Sequence, residues 1–143
     1  MRAFWDASAV VPLCFPQVIS QMSQQLRRQY RDLVVWWGTL IEVRCALARL
    51  SAAGTGNGQP PETALARLAL LRESWREVLP TERVRSLAEQ LAGQHHLRSG
   101  DVFQLAAALD WCDQRPQNRP FICFDRRLAQ AARRVGFAVP TGL

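Results

Sequence analysis

Short apolar segments rich in β-branched and aromatic residues alternate along this chain with longer segments of helical period. The short segments predict strands near residues 2–5, 33–36, 77–79, 121–124 and 137–139. Such alternation is typical of a parallel sheet whose strands are joined by crossover helices. We therefore expect an α/β fold with helices on both faces of one sheet.

The helices between these strands are predicted from their caps and from the spacing of their apolar residues. Apolar positions recur at helical spacing from Leu40 to Leu50, which predicts a helix beginning at Thr39. The glycine- and proline-rich stretch at residues 53–61 is predicted to be a loop. Further helices are expected over residues 16–30, 61–75, 81–92, 101–112 and 126–135, the last stopped by Gly136.

The composition is that of a globular chain. Its 143 residues, 48% hydrophobic and 21% charged, match one ordinary domain, so residues 1–143 are expected to form a single domain. No apolar run is long enough to cross a bilayer and no leader segment is recognisable, so we expect a cytoplasmic protein without a membrane partner. The four cysteines lack CxxC spacing and have apolar neighbours, which predicts reduced core thiols.

The positive charge is carried by arginine alone: all 18 basic residues are Arg, and the net charge is +6. The absence of lysine excludes Schiff-base chemistry and a P-loop. Guanidinium groups match phosphate in two-point contacts, which favours a nucleic-acid substrate over a small acidic metabolite. A solvated arginine surface or an acidic partner protein would fit the same charge.

Four acids stand beside or within apolar runs, where acids are normally absent unless something compensates their charge. Asp6 and Asp125 each follow a predicted strand, and Glu42 and Asp101 lie in the first turns of predicted helices. In an open parallel sheet, ligands bind at the carboxyl ends of the strands, so these four side chains are expected to meet there.

Clustered carboxylates repel one another unless cations neutralise them. Oxygen ligands without His or Cys indicate Mg²⁺ or Mn²⁺ rather than zinc, and such ions support phosphodiester hydrolysis. We expect Asp6, Asp101 and Asp125 to be metal ligands. Glu42 is expected to be a further ligand or the base that orients the attacking water.

Each acid also has a purely structural interpretation. Glu42 stands three residues after Thr39, as in a capping box, and Asp101 and Asp125 have positions suited to helix N-termini. Asp6 lacks such an interpretation unless residues 7–12 are helical. Ser8 has a structural interpretation as an N-cap of the segment that follows it.

The ordered motifs around these acids resemble the PIN-domain ribonucleases, and among them the VapC-type toxins of toxin–antitoxin pairs. The likeness rests on WDASAVVPL with Asp6 and Ser8, TLIEVRCALARL with Thr39 and Glu42, LRSGDVFQLAAAL with Asp101, and FICFDRRLAQAARRVGF with Asp125. One position departs from the pattern: Cys123 stands where many relatives have Thr or Ser.

The resemblance implies a three-layer α/β/α domain with a five-stranded parallel sheet of order 3-2-1-4-5. It further implies an endoribonuclease that uses Mg²⁺ or Mn²⁺, forms a homodimer and is neutralised by a cognate antitoxin. Ser8 and Thr39 would support the site. Arg126 and Arg127, directly after Asp125, are our candidates for contact with RNA phosphates.

Other functions remain open from the sequence. A catalytically silent PIN-like module that binds RNA or protein is the main alternative, and a DNA nuclease would use the same chemistry. A phosphoacceptor receiver domain is excluded because it would need a lysine. The small size favours a single-stranded or loop RNA substrate over a duplex. The adjacent pair Trp36 and Trp37 is not expected to be wholly internal, as in a dimer interface.

Overall fold

Four parallel strands form the central sheet of the computed structural model, which describes residues 1–143. The strands are β1 (Arg2–Trp5), β2 (Asp32–Trp36), β3 (Arg76–Val78) and β4 (Phe121–Ile122). They lie in the order β3-β2-β1-β4, and all three neighbouring pairs are parallel. The strand β1 is therefore central, and its carboxyl end lies at the middle of one edge of the sheet.

Seven helices connect and cover the strands. They are α1 (Ala7–Cys14), α2 (Ser20–Gln29), α3 (Thr39–Ala52), α4 (Pro61–Ser74), α5 (Glu82–Leu91), α6 (Ser99–Trp111) and α7 (Arg126–Val135). None of them combines the length and the apolar composition that crossing a membrane requires.

The core consists of two apolar layers, one on each face of the sheet. Phe4 and Val34 belong to a layer with α5, α6 and α7, whereas Ala3 and Leu33 belong to a layer with α1, α3 and α4. Neighbouring residues of one strand point to opposite faces, so the alternation in β1 and β2 supplies both layers. This three-layer arrangement confirms the predicted α/β/α fold class.

The predicted fifth strand is reduced to a single bridge. Ala138 pairs with Pro120 in parallel, and its carbonyl accepts a hydrogen bond from Phe121 N at 2.8 Å. The ladder does not continue because Pro140 follows within two residues and cannot donate a backbone hydrogen bond. The sheet thus has four strands, and the bridge occupies the place of the fifth beside β4.

The structure also differs from the prediction of one helix over residues 16–30. The chain forms α1 at residues 7–14, turns, and begins α2 only at Ser20. The helix α1 escaped prediction because it is short, contains Pro12 and is apolar on almost every side, so it has no helical period. Seven of its eight residues are buried, which makes it a core element.

Candidate active site

One cleft at the carboxyl edge of the sheet brings all four predicted acids together. Its volume is about 440 Å³, and Asp6, Glu42, Asp101 and Asp125 all line it. Ser8 also lines the cleft, so five of the residues singled out from the sequence share one site.

Each of the four acids lies at the beginning of a helix. Asp6 and Asp125 are the N-caps of α1 and α7, and Glu42 and Asp101 lie in the first turns of α3 and α6. In a parallel α/β fold, the helices that directly follow strands begin at the carboxyl edge of the sheet, which accounts for α1, α3 and α7, whereas α6 follows α5. Free backbone N–H groups and the helix dipole favour negative charge there, so four helix starts partly compensate the clustered carboxylates.

Asp6 is the most deeply placed of the acids, with only 4% of the residue exposed. Its Oδ2 accepts hydrogen bonds from Ser8 N at 3.1 Å and from Ser8 Oγ at 2.5 Å. Burial nevertheless raises the pKa of Asp6 from 3.8 to about 6, and the charges of Asp101 and Asp125 add to this effect. The sequence offered little reason to interpret Asp6 as a helix cap. Because residues 7–14 are helical, Asp6 is nevertheless an N-cap as well as a residue of the cleft.

Ser8 and Cys123 connect the first and last acids. The Ser8 hydroxyl donates to Asp6 and accepts from Phe124 N at 2.9 Å, which ties α1 to the end of β4. Cys123 is fully buried, lies 3.6 Å from Asp6 Oδ2, and accepts from Asp125 N at 3.3 Å. The thiol thus occupies the position of a hydroxyl as a weaker hydrogen-bonding group.

Glu42 makes no capping box with Thr39. The N-cap of α3 is Gly38 and has no side-chain hydrogen bond, whereas Glu42 Oε1 accepts from Gln104 Nε2 at 3.2 Å. Thr39 is fully buried and accepts from the same Gln104 nitrogen at 2.9 Å. Desolvation, followed by repulsion from Asp6, raises the pKa of Glu42 to about 7.

Asp101 and Asp125 are more exposed than Asp6, and their negative charges repel each other. Burial raises the pKa of Asp101, and the negative charge of Asp125 raises it further. A hydrogen bond with the Arg98 backbone and the positive charges of Arg98 and Arg127 lower it. Asp125 accepts a hydrogen bond from Leu128 N at 3.0 Å, as an N-cap does. Asp101 and Asp125 therefore lie at helix N-termini and line the cleft at the same time.

The arginines nearest the acids only partly match those chosen from the sequence. Arg126 and Arg127 are exposed, and neither lines the cleft, although the charge of Arg127 acts on Asp101. Arg49 does line the cleft, two turns along α3 from Glu42. The sequence reasoning missed Arg49 and Arg98; helical spacing from Glu42 at i+7 was the available signal for Arg49.

The cysteine prediction was wrong at one position. Cys14, Cys112 and Cys123 are buried thiols as expected, but Cys45 is exposed and lines the cleft. Its place on α3 three residues after Glu42 puts it on the helix face that carries that acid, whereas the buried face carries Val43 and Leu47.

The side chains that line the cleft are of the chemical type that binds a hard divalent cation. Asp6, Asp101 and Asp125 offer carboxylate oxygens, the ligands that Mg²⁺ and Mn²⁺ prefer. No group of three His, Cys, Asp or Glu side chains stands close enough together to enclose one ion. Burial and, to a smaller extent, repulsion from neighbouring acids raise the pKa values of Asp6 and Glu42, and a cation would relieve that repulsion.

Known structures share this architecture. VapBC2 from Rickettsia felis, bound to a DNA fragment from its promoter, matches with a TM-score of 0.65 over 97% of this chain and 98% of the matched chain, at 8% identity. The chain has a VapC-type PIN fold. A toxin–antitoxin complex from Klebsiella pneumoniae matches this fold with a TM-score of 0.58 over 85% of this chain and 84% of the other, at 13% identity.

The VapC-type likeness concerns the fold, since the shared identity is only 8–13%. No protein-family model matches the sequence, and no curated protein matches it.

Proposed function

We propose that this chain is a VapC-like toxin, a Mg²⁺- or Mn²⁺-dependent endoribonuclease that hydrolyses phosphodiester bonds in single-stranded or loop RNA. The observation that carries the proposal is the convergence of four acids from four separate helix starts on one cleft of a VapC-type fold. Two N-caps and two first-turn acids alone would not require the four carboxylates to share a site.

In this proposal Asp6, Asp101 and Asp125 hold the divalent cation, directly or through water. When bound, such a cation would supply a lowered pKa of water and would offset charge that develops on the phosphate. Ser8 keeps Asp6 oriented through its two hydrogen bonds to Oδ2. Cys123 packs behind the same carboxylate and excludes solvent from it.

Glu42 is proposed as the group that orients the attacking water and takes its proton. Its Oε1 is held by Gln104, and a pKa of about 7 suits a residue that exchanges a proton near neutral pH. The water oxygen forms a bond to phosphorus as the bond to the leaving ribose oxygen breaks. The proton removed from water passes to the Glu42 carboxylate.

Arginines around the cleft are proposed to bind the RNA backbone. Arg49 lines the cleft, and Arg98 and Arg127 act on Asp101, so guanidinium groups flank the acids on two sides. Arg126 continues this surface at the beginning of α7. Phosphate contacts of this kind weaken with added salt, so cleavage should fall as ionic strength rises.

We also propose a homodimer in the cytoplasm that a cognate antitoxin neutralises. VapBC2 and the Klebsiella protein are toxin–antitoxin complexes, which supports an antitoxin partner here. Trp37 is 53% exposed and Ile41 is 61% exposed, although Trp36 beside them is buried. Large exposed apolar side chains on neighbouring turns favour an interface between copies of the chain.

The test compares RNA cleavage by the wild type with that of Asp6→Asn, which has nearly the same shape but one ligand charge fewer. We expect cleavage only with Mg²⁺ or Mn²⁺ and a loss of about a hundredfold or more in kcat for the variant. Asp113→Asn, which removes an exposed acid paired with Arg83, serves as the charge-matched control and should cleave normally. Cleavage undiminished by excess EDTA would contradict the proposal.

A catalytically silent PIN-like module is the second candidate. It is favoured by the spread of the acids, because no three of them stand within reach of a single ion. Such a module would bind single-stranded RNA without cleaving it, and Asp6→Asn would leave its RNA affinity unchanged. Cleavage and binding measured on one labelled RNA separate the two functions.

A further inference from the structure

Gln104 is a buried amide on α6 that faces the site from the inside of the fold. Its residue is fully buried, and no other polar side chain of α6 is buried to this degree. A buried amide costs free energy unless its groups are hydrogen-bonded, so its partners decide what it does.

Both hydrogens of the Gln104 amide are used by residues of α3. Nε2 lies 2.9 Å from Thr39 Oγ1 and 3.2 Å from Glu42 Oε1. A side-chain NH₂ group has two hydrogens, so these two bonds complete its donor capacity. The assignment of nitrogen rather than oxygen to this position follows from the carboxylate partner, which accepts hydrogen bonds when ionised.

The amide oxygen of Gln104 has no hydrogen-bond partner, although it is buried. An unsatisfied buried oxygen is unfavourable for stability, and an apolar side chain at this place would avoid it. The hydrogen bond that Gln104 makes to Glu42 therefore stands out as the reason for a polar residue here. Thr39 adds a second point of attachment that fixes the amide plane.

The helix α6 also covers Glu42 one turn earlier. A Cβ atom added at Gly100 would lie 3.8 Å from Glu42 Oε1. Gly100 and Gln104 are four residues apart and share a helix face, so this face of α6 lies beside one carboxylate oxygen of Glu42 over a full turn. The other oxygen, Oε2, has no hydrogen bond to the protein and stays available to the cleft that Glu42 lines.

We propose that Gln104 is a positioning residue for the nuclease reaction: it holds Oε1 of Glu42 against α6 so that Oε2 is presented to the attacking water. This inference rests on the proposed function. Its chemical content is separate, because it concerns the orientation of Glu42 and not the presence of a cation. Thr39 acts with Gln104 as its anchor on α3.

The test is a double-mutant cycle between Gln104→Leu and Glu42→Gln, measured as kcat and KM for one labelled RNA at saturating Mn²⁺. In the wild-type background, Gln104→Leu should lower kcat by roughly tenfold to a hundredfold with KM within about twofold, as expected for a displaced catalytic group. In the Glu42→Gln background the same change should alter kcat by less than about twofold.

The matched control is Val102→Ala, which truncates a core residue on the same helix that lines a separate groove with α5. It should lower the melting temperature and leave kcat unchanged in both backgrounds. Thr39→Val should lower kcat in the direction of Gln104→Leu but by a smaller factor, because it removes the anchor and keeps the Glu42 bond.

An equal fold-loss from Gln104→Leu in both backgrounds would overturn the proposal, as would full activity of Glu42→Gln. The side-chain amide resonances of Gln104 supply a readout without activity: Glu42→Gln should shift them, whereas Asp113→Asn should not. If the wild type cleaves no RNA, the proposed function fails. Unshifted amide resonances in Glu42→Gln would overturn the inference in either case.

Discussion

The metal-free protein should become more stable at neutral pH when Asp6 is replaced by asparagine. The pKa of Asp6 is raised from 3.8 to about 6, mainly by burial, so folding is penalised once this carboxyl ionises. At about 1.4 kcal/mol per pH unit, the difference amounts to about 3 kcal/mol when the carboxylate is fully ionised.

The sign of the pH dependence follows from the raised pKa. Between about pH 4 and pH 6 the folded state binds the proton more tightly than the unfolded state, so wild-type stability falls as the pH rises through this window. The penalty is absent below it and complete above it. Asparagine does not titrate, so the Asp6→Asn variant lacks this part of the pH dependence.

The asparagine of the Asp6→Asn variant also lowers the stability of the folded state. Its carbonyl oxygen can take the place of Oδ2 and keep the hydrogen bonds from Ser8, but its NH₂ group then takes the place of Oδ1, which has no hydrogen-bond partner in the protein. We assign about 1 kcal/mol to this imperfect pairing. The variant should therefore be about 1 kcal/mol less stable at pH 4 and about 2 kcal/mol more stable at pH 7, where its Tm should rise by about 4 to 8 °C.

The assay is urea unfolding in EDTA, followed by tryptophan fluorescence from pH 4 to pH 7. Asp113→Asn is the control with the opposite sign, because hydrogen bonding and charge from Arg83 hold the pKa of Asp113 below its usual value. Its effect should be small, since the pair is on the surface. A stability difference between wild type and Asp6→Asn that stays constant from pH 4 to pH 7 would refute the reasoning.

Four further predictions concern the cleft and its partners. Mn²⁺ should raise the Tm of the wild type more than that of Asp101→Asn, and equal shifts would show that Asp101 is no ligand. The kcat of the wild type should rise with pH through the pKa of Glu42, which is about 7 without a cation and lower with Mn²⁺ bound, whereas Glu42→Gln should flatten this profile. Cys123→Ser should keep or increase kcat/KM, because a hydroxyl donates to Asp6 better than a thiol; a tenfold loss would contradict this. Growth arrest caused by the chain should be relieved by co-expression of a small protein encoded beside it, and toxicity that persists with that protein bound would contradict the regulatory part of the proposal.

Much of the fold is readable from local pattern. The alternation of strands and helices determined the fold class, and the order that the family resemblance implied for the first four strands agrees with the structure. The four acids were found because a carboxylate next to an apolar run is conspicuous, and because parallel strands end at a common edge. Their positions at helix starts are equally local features, since N-caps and first turns have their own residue preferences.

Tertiary structure decided the features that depend on contacts between distant segments. The bond from Gln104 to Glu42 joins residues 62 positions apart, and nothing in either helix alone predicts it. The exposure of Cys45 depends on which face of α3 packs against the core, and α1 is helical because burial compensates for its short length and its proline. Local sequence determines which elements form and where their acids lie, whereas desolvation, raised pKa values and hydrogen bonds between helices arise only when the elements pack.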